Sequence, residues 1–171
     1  LREVRHIQNA LAPTGMPCVL LKGAAYIVSS LAASKGRLLS DIDIMVPHER
    51  LMEAERALIH GGWMPTKLDP YDQRYYRKWM HELPPMQHLD RDTTIDVHHT
   101  ILPPTARLKP DVALLWAAAR KLPDPAHFHV LAPPDLILHS ATHLFHEGEF
   151  SNGLRDLVDI DGLLREFSMT N

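Results

Sequence analysis

The chain has 171 residues, with 18 Lys+Arg against 21 Asp+Glu and a formal net charge of -3. That length suits one domain, or one domain with a helical appendage, and it lets the chain fold without disulfides. The mild acid excess argues against a partner as long as a nucleic-acid track, which needs clustered Lys and Arg, but leaves room for a single nucleotide.

The single cysteine, Cys18, excludes an internal disulfide framework and a cysteine-based zinc site. No run approaches the roughly 20 apolar residues of a membrane span, and no signal peptide is visible. A reducing cytoplasm is the expected setting. The start at Leu1 rather than Met suggests a piece of a longer chain.

Residues 1–12 read as an amphipathic helix with Leu1, Val4, Ile7 and Leu11 on one face. Pro13-Thr14-Gly15 ends it. Cys18 to Leu21 is a short apolar run, read as a buried strand. Lys22-Gly23 then opens a helix over Ala24 to Ala33. Ser40 to Val46 is the best strand in the sequence, stopped by Pro47. His48 to His60 predicts a helix with Leu51, Ala54, Leu58 and Ile59 inward, closed by Gly61-Gly62.

Trp63 to Leu68 suits a strand, and Tyr71 to Trp79 either a helix or a strand. Glu82 to Leu89 reads as a strand that its two prolines push to an edge or a bulge. With Thr93 to Thr100 it makes a hairpin around Asp90-Arg91-Asp92. After Ile101 no further strand is expected. Helices are read over Asp111 to Lys121, Asp135 to Glu147 and Leu154 to Phe167. The expected fold is therefore α+β: a mixed β-sheet flanked by helices over residues 1–101, then a helical C-terminal region over 102–171. The 14 prolines fall at the joints between elements, where they stop elements rather than damage them.

The informative chemistry lies in Ser40-Asp41-Ile42-Asp43-Ile44-Met45-Val46. On a strand Asp41 and Asp43 share one face, about 7 Å apart, while Ile42 and Ile44 face a core. Such a like-charge pair costs free energy unless a cation joins it, and hard divalent ions such as Mg2+ prefer oxygen ligands. A solvated strand face is the bland alternative. Two features weigh against it. Lys22-Gly23 ends an apolar run and opens a helix, where backbone amides can approach an anion. Asp96 lies between Ile95 and Val97 in a β-branched strand.

These residues resemble the DNA polymerase beta-like nucleotidyltransferase superfamily. Its pattern is an apolar strand, a Gly-Ser or similar pair opening a helix, an apolar-Asp-apolar-Asp-apolar strand, and a third acid on a later strand. The matches are Val19-Leu20-Leu21-Lys22-Gly23, Asp41-Ile42-Asp43-Ile44-Met45-Val46 and Ile95-Asp96-Val97. Arg37 to Asp43 and Ile95-Asp96-Val97-His98-His99 look like a little-characterised bacterial subgroup of nucleotidyltransferases. The usual Gly-Ser pair is Lys-Gly here, so either Lys22 stands in for a hydroxyl that helps hold the triphosphate or the nucleotide binds differently.

The resemblance implies a nucleotide-binding transferase. It would move a nucleoside monophosphate from an NTP such as ATP to a hydroxyl of a small molecule or protein, releasing pyrophosphate. Asp41, Asp43 and Asp96 would be the catalytic acids and ligands of Mg2+ or Mn2+. Lys22, Gly23, Arg37 and Ser40 would contact nucleotide phosphates. His98 shares the face of Asp96 and would touch substrate or orient the acid.

Other clusters have alternatives. His139, His143 and His146 lie on one helical face, which invites a zinc-hydrolase reading, but a polar stripe along a cleft explains them as well. Arg155, Asp156 and Asp159 read as an exposed helix face in preference to Asp156 and Asp159 reaching the cleft. Tyr71, Tyr75, Tyr76 and Trp79 read as packing or as a lid over an acceptor. A non-catalytic nucleotide- or partner-binding domain is the second overall reading, motivated by the Lys-Gly departure.

Overall fold

The computed structural model describes residues 2–37, 39, 41–123, 127–146 and 153–168. Helix α1 (Arg2–Leu11) buries Val4, Ile7 and Leu11, as its periodicity predicts. Strand β1 (Cys18–Leu20) is buried throughout, which explains why it is an unbroken apolar run rather than an alternating one. Helix α2 (Lys22–Val28) is shorter than expected. Ser30 adopts a left-handed φ of 55°, and the chain resumes as a 3-10 turn over Ala32–Ser34.

Strand β2 (Asp41–Met45) leads through Pro47 and one 3-10 turn into α3 (Leu51–His60), which buries Ala54 and Leu58. Ile59, expected inside, is 36% exposed. Strand β3 (Trp63–Pro65) follows. Helix α4 (Pro70–Trp79) settles the ambiguous aromatic segment: Asp69 accepts a 2.8 Å hydrogen bond from the Tyr71 N–H, and Pro70 occupies the first turn. Strands β4 (Met86–His88) and β5 (Thr94–His98) form the expected hairpin.

Beyond Ile101 come α5 (Val112–Ala118), β6 (Arg120–Lys121), β7 (Phe128–Val130), α6 (Pro133–His146) and α7 (Gly153–Ser168). The seven strands form one sheet in the order β3-β4-β5-β2-β1-β7-β6. The β2–β5 and β1–β7 pairs are parallel and the others antiparallel.

Two expectations need correction. Strands do occur after Ile101, because β7 pairs in parallel with β1 and carries β6 with it. Three residues give too short an alternation to read, and their partner lies far back in the chain. Nor is β4 an edge: Pro84 and Pro85 precede its paired residues, so the ladder is unbroken, and β3 covers its other side.

The core runs through the sheet. Val19, Leu20, Ile44, Ile95 and Val97 are each at most 1% exposed, and burial of such side chains is worth about 1.5–3 kcal/mol apiece. Helix α1 packs on α3, α2 contacts β2 and α6, and α7 packs on α6 and on the Ala32–Ser34 turn. These contacts bring the late helices over the start of α2. No described helix is long and apolar enough to cross a membrane.

Candidate active site

The alternation of β2 sends Ile42 and Ile44 to the core and Asp41 and Asp43 to the opposite face. Parallel pairing sets Asp43 beside Asp96, Asp41 beside Thr94 and Met45 beside His98. Partners in register share a face, so three acids and His98 lie together on it. Asp41 is exposed at the strand start, Asp43 is buried and Asp96 is half-buried.

The neighbouring acids are driven apart electrostatically. Burial opposes ionisation of Asp43, yet the Lys22 ammonium at 2.9 Å and His98 Nε2 at 3.1 Å outweigh it and hold this carboxyl well below the usual range. At Asp96 the pull of His98 is outweighed. Burial, with Asp43 and Glu82 nearby, pushes its pKa up to about 7. Among the described residues its Oδ1 is buried without a hydrogen-bond partner. One acid is thus fixed as an anion while its neighbour is poised between states, a division found where carboxylates take different roles.

Lys22 begins α2 with a left-handed φ of 43°, unusual for a residue with a side chain. The preceding Leu21 N–H donates to the Asp43 carbonyl at 3.0 Å, anchoring this turn to β2. Gly23 then permits a close approach: a Cβ there would lie 2.5 Å from Arg37 Nε and 2.9 Å from Leu39 Cδ2. Arg37 donates to Asp159 of α7 in a largely buried ion pair and stacks over the Tyr26 ring, 5.4 Å from its centroid. Burial raises the Asp159 carboxyl pKa despite this contact, so desolvation takes back much of what the pair contributes. The Tyr26 hydroxyl meets Ser140 Oγ of α6 at 2.6 Å.

These groups line a cavity of about 250 Å³ together with Asp41, Asp43 and His143. A second cavity, of about 640 Å³, shares Lys22, Asp41 and His143 with it and is lined by Asp96, Glu82, His98, Tyr75 and Tyr76. The carboxylate face therefore sits between two adjoining spaces. His139 and His146 also line the larger one. Burial holds His139 well below its ordinary pKa, so it is neutral. Among the described residues His139, His143 and His146 form no group of three candidate metal ligands with one another.

Of the residues named from sequence, Asp41, Asp43, Asp96, Lys22, Gly23, Arg37 and His98 all line these two spaces. Ser40 lies outside the described residues. Asp159, for which an exposed helix face was preferred over the cleft, is buried and lines the smaller cavity, and sequence reasoning passed over Tyr26, Ser140, His81 and Glu82. The small periodic clue for Asp159 was that it falls among apolar residues of α7; nothing local marked the others.

Residues 1–170 match the family described as uncharacterised nucleotidyltransferase. No curated protein matches the sequence. The fold is similar to a solution structure of the antibiotic-resistance factor ANT(2'')-Ia, described as showing substrate-regulated conformation dynamics. The TM-score is 0.54 at 13% identity, covering 98% of this chain and 90% of that one.

Proposed function

The chain belongs to this family of nucleotidyltransferases, and from that premise we propose that it transfers a nucleoside monophosphate from an NTP to a hydroxyl acceptor, releasing pyrophosphate. The observation that carries the reading is the register of Asp43 beside Asp96, with Asp41 on the same face, between two adjoining cavities.

The donor set fits a hard divalent ion. Three carboxylates share one face, and Asp96 Oδ1 is a buried oxygen with no hydrogen-bond partner among the described residues. Asp41, Asp43 and Asp96 would hold Mg2+, or Mn2+ in its place. Such an ion supplies charge stabilisation to phosphoryl oxygens.

The chain's own groups do the rest. Lys22, already beside Asp43, offers its ammonium to the phosphates as a point charge, and Gly23 lets Arg37 pack against the start of α2. Arg37 sets the wall of the smaller cavity through Asp159. On the side of the larger cavity Asp96 accepts the proton of the acceptor hydroxyl. The acceptor oxygen forms a bond to the α-phosphorus, and the bond from that phosphorus to the bridging oxygen breaks. Pyrophosphate leaves with the electron pair. Tyr75 and Tyr76, exposed enough to meet a ligand, wall the acceptor side.

A second reading has its own support. Lys22 pairs with Asp43 at 2.9 Å, so part of the carboxylate charge is neutralised from within. A domain that binds nucleotide without turning it over would look like this. Assay of pyrophosphate release from each NTP with Mg2+, across sugars, amino sugars and hydroxyl-bearing proteins, separates the two. Acceptor-dependent release that Asp96→Asn abolishes supports transfer. Nucleotide binding with no release across the panel supports the binding domain.

A further inference from the structure

Beside the carboxylates lies a cluster that nucleotide transfer does not use. His81, Glu82 and His98 bring one ligand atom each to within 4.8 Å of one another. Backbone pairing fixes the arrangement: Glu82 bridges antiparallel to His98, the Leu83 N–H donates to Val97 O at 2.8 Å, and the His99 N–H to His81 O at 2.9 Å. His81 and His98 are 7% and 2% exposed. His98 is carried by β5, and backbone hydrogen bonds tie His81 and Glu82 to it.

His98 has the bonding pattern of a metal ligand. Its Nε2 lies 3.1 Å from Asp43 Oδ1. The contact of Nε2 with that carboxylate orients the ring so that Nδ1 faces Glu82, and an ion bound there takes the place of the Nδ1 proton. Nδ1 is buried with no hydrogen-bond partner among the described residues, and it lies 3.4 Å from Glu82 Oε2. Two donors on one tetrahedral ion, each about 2.0–2.1 Å from it, stand about 3.4 Å apart. This pair already has that spacing, and His81 needs only a small side-chain adjustment to join.

We propose that His81, Glu82 and His98 form a site for a borderline divalent transition-metal ion such as Zn2+, with its remaining coordination position open to the larger cavity. Two imidazoles and one carboxylate suit such an ion better than Mg2+, which prefers oxygen donors. Three protein ligands with one open place is the arrangement of zinc sites that take a water or substrate oxygen. Glu82 and His98 both line the larger cavity beside Asp96, so the open position faces that space. The site is chemically distinct from the oxygen-donor set of Asp41, Asp43 and Asp96, and its existence does not depend on nucleotide turnover.

The test uses the whole chain, stripped with a chelator and titrated with Zn2+ against a chromophoric competitor. One Zn2+ per chain is expected, with affinity falling about 100-fold in His81→Asn and in Glu82→Gln and unchanged in Asp41→Asn. Visible Co2+ absorption bands of low coordination should appear in the wild type and be lost in Glu82→Gln. If His81→Asn fails to fold, the partly exposed Glu82 still decides through Glu82→Gln. Wild-type affinity in Glu82→Gln overturns the proposal. So does an equal loss in Asp41→Asn, which would move the ion to the carboxylate face.

Discussion

The β2–β5 pair and the α6–α7 pair build the two walls of one site by different physics. On the strands, function follows from period and register: the residues that face away from the core ladder are Asp41, Asp43, Asp96 and His98. On the helices it follows from long-range pairing, as Asp159 reaches Arg37 and Ser140 reaches Tyr26 across more than a hundred residues. The strand wall carries the proposed chemistry and the helix wall holds its shape. Mutations should therefore separate: strand acids cost activity more than stability, and helix partners cost stability first.

The largest expected effect sits on the strand side. Asp43→Ala removes the anion that Lys22 and His98 both face, and turnover should fall by about 10³-fold or more in a pyrophosphate-release assay. The variant should still give the far-UV spectrum of a folded chain. An Asp43→Ala enzyme with wild-type turnover would break the comparison.

On the helix side, Asp159→Ala leaves the Arg37 guanidinium largely buried and uncompensated. The expected loss is about 2–4 kcal/mol in urea unfolding. Loss of the pair through Arg37→Met with Asp159→Leu should cost less than Asp159→Ala alone, because no charge is then stranded. If Asp159→Ala unfolds at the wild-type midpoint, α7 does not brace the site.

Protonation offers a third contrast. The folded-state pKa of Asp96, about 7, lies above its ordinary 3.8. Its contribution to stability is therefore fully present below about pH 4 and is lost as pH rises through 7. Without divalent cations, Asp96→Asn should remove that fall and be more stable than wild type at pH 8 by about 1–2 kcal/mol. Parallel urea midpoints at pH 5 and pH 8 would check it. An identical pH dependence in both proteins would show that Asp96 ionises as easily in the fold as in the open chain.

The smallest effect is at the seam between α2 and α6. Tyr26→Phe deletes the hydroxyl that meets Ser140 and should cost about 1 kcal/mol or slightly more, since the Ser140 hydroxyl stays buried. Turnover should change little. A large drop in turnover with stability intact would make this hydroxyl part of the chemistry.

This contrast also explains what the sequence made legible. Asp41 and Asp43 stand two apart among isoleucines, so their shared face is readable from strand geometry alone. Asp96 is readable for the same reason, and the α1 stripe of Val4, Ile7 and Leu11 from helical period. Strand β7 was not readable, because Phe128–Val130 is short and its parallel partner is β1. Asp159 was not readable either: a carboxylate on an amphipathic helix looks solvated until its cation is located, and Arg37 lies 122 residues away. His81 and Glu82 follow an aromatic helix and precede two prolines, and only their backbone pairing with β5 gives them a role.

The central claim is that the strand acids form a divalent-ion-dependent nucleotide site. Calorimetric titration of ATP and the other NTPs, with and without Mg2+, into the wild type and the Asp41→Asn, Asp43→Asn double variant tests it most directly. The account predicts nucleotide binding that strengthens with Mg2+ in the wild type, and loss of that Mg2+ dependence in the folded double variant. Equal binding by both proteins, with the same response to Mg2+, would contradict it.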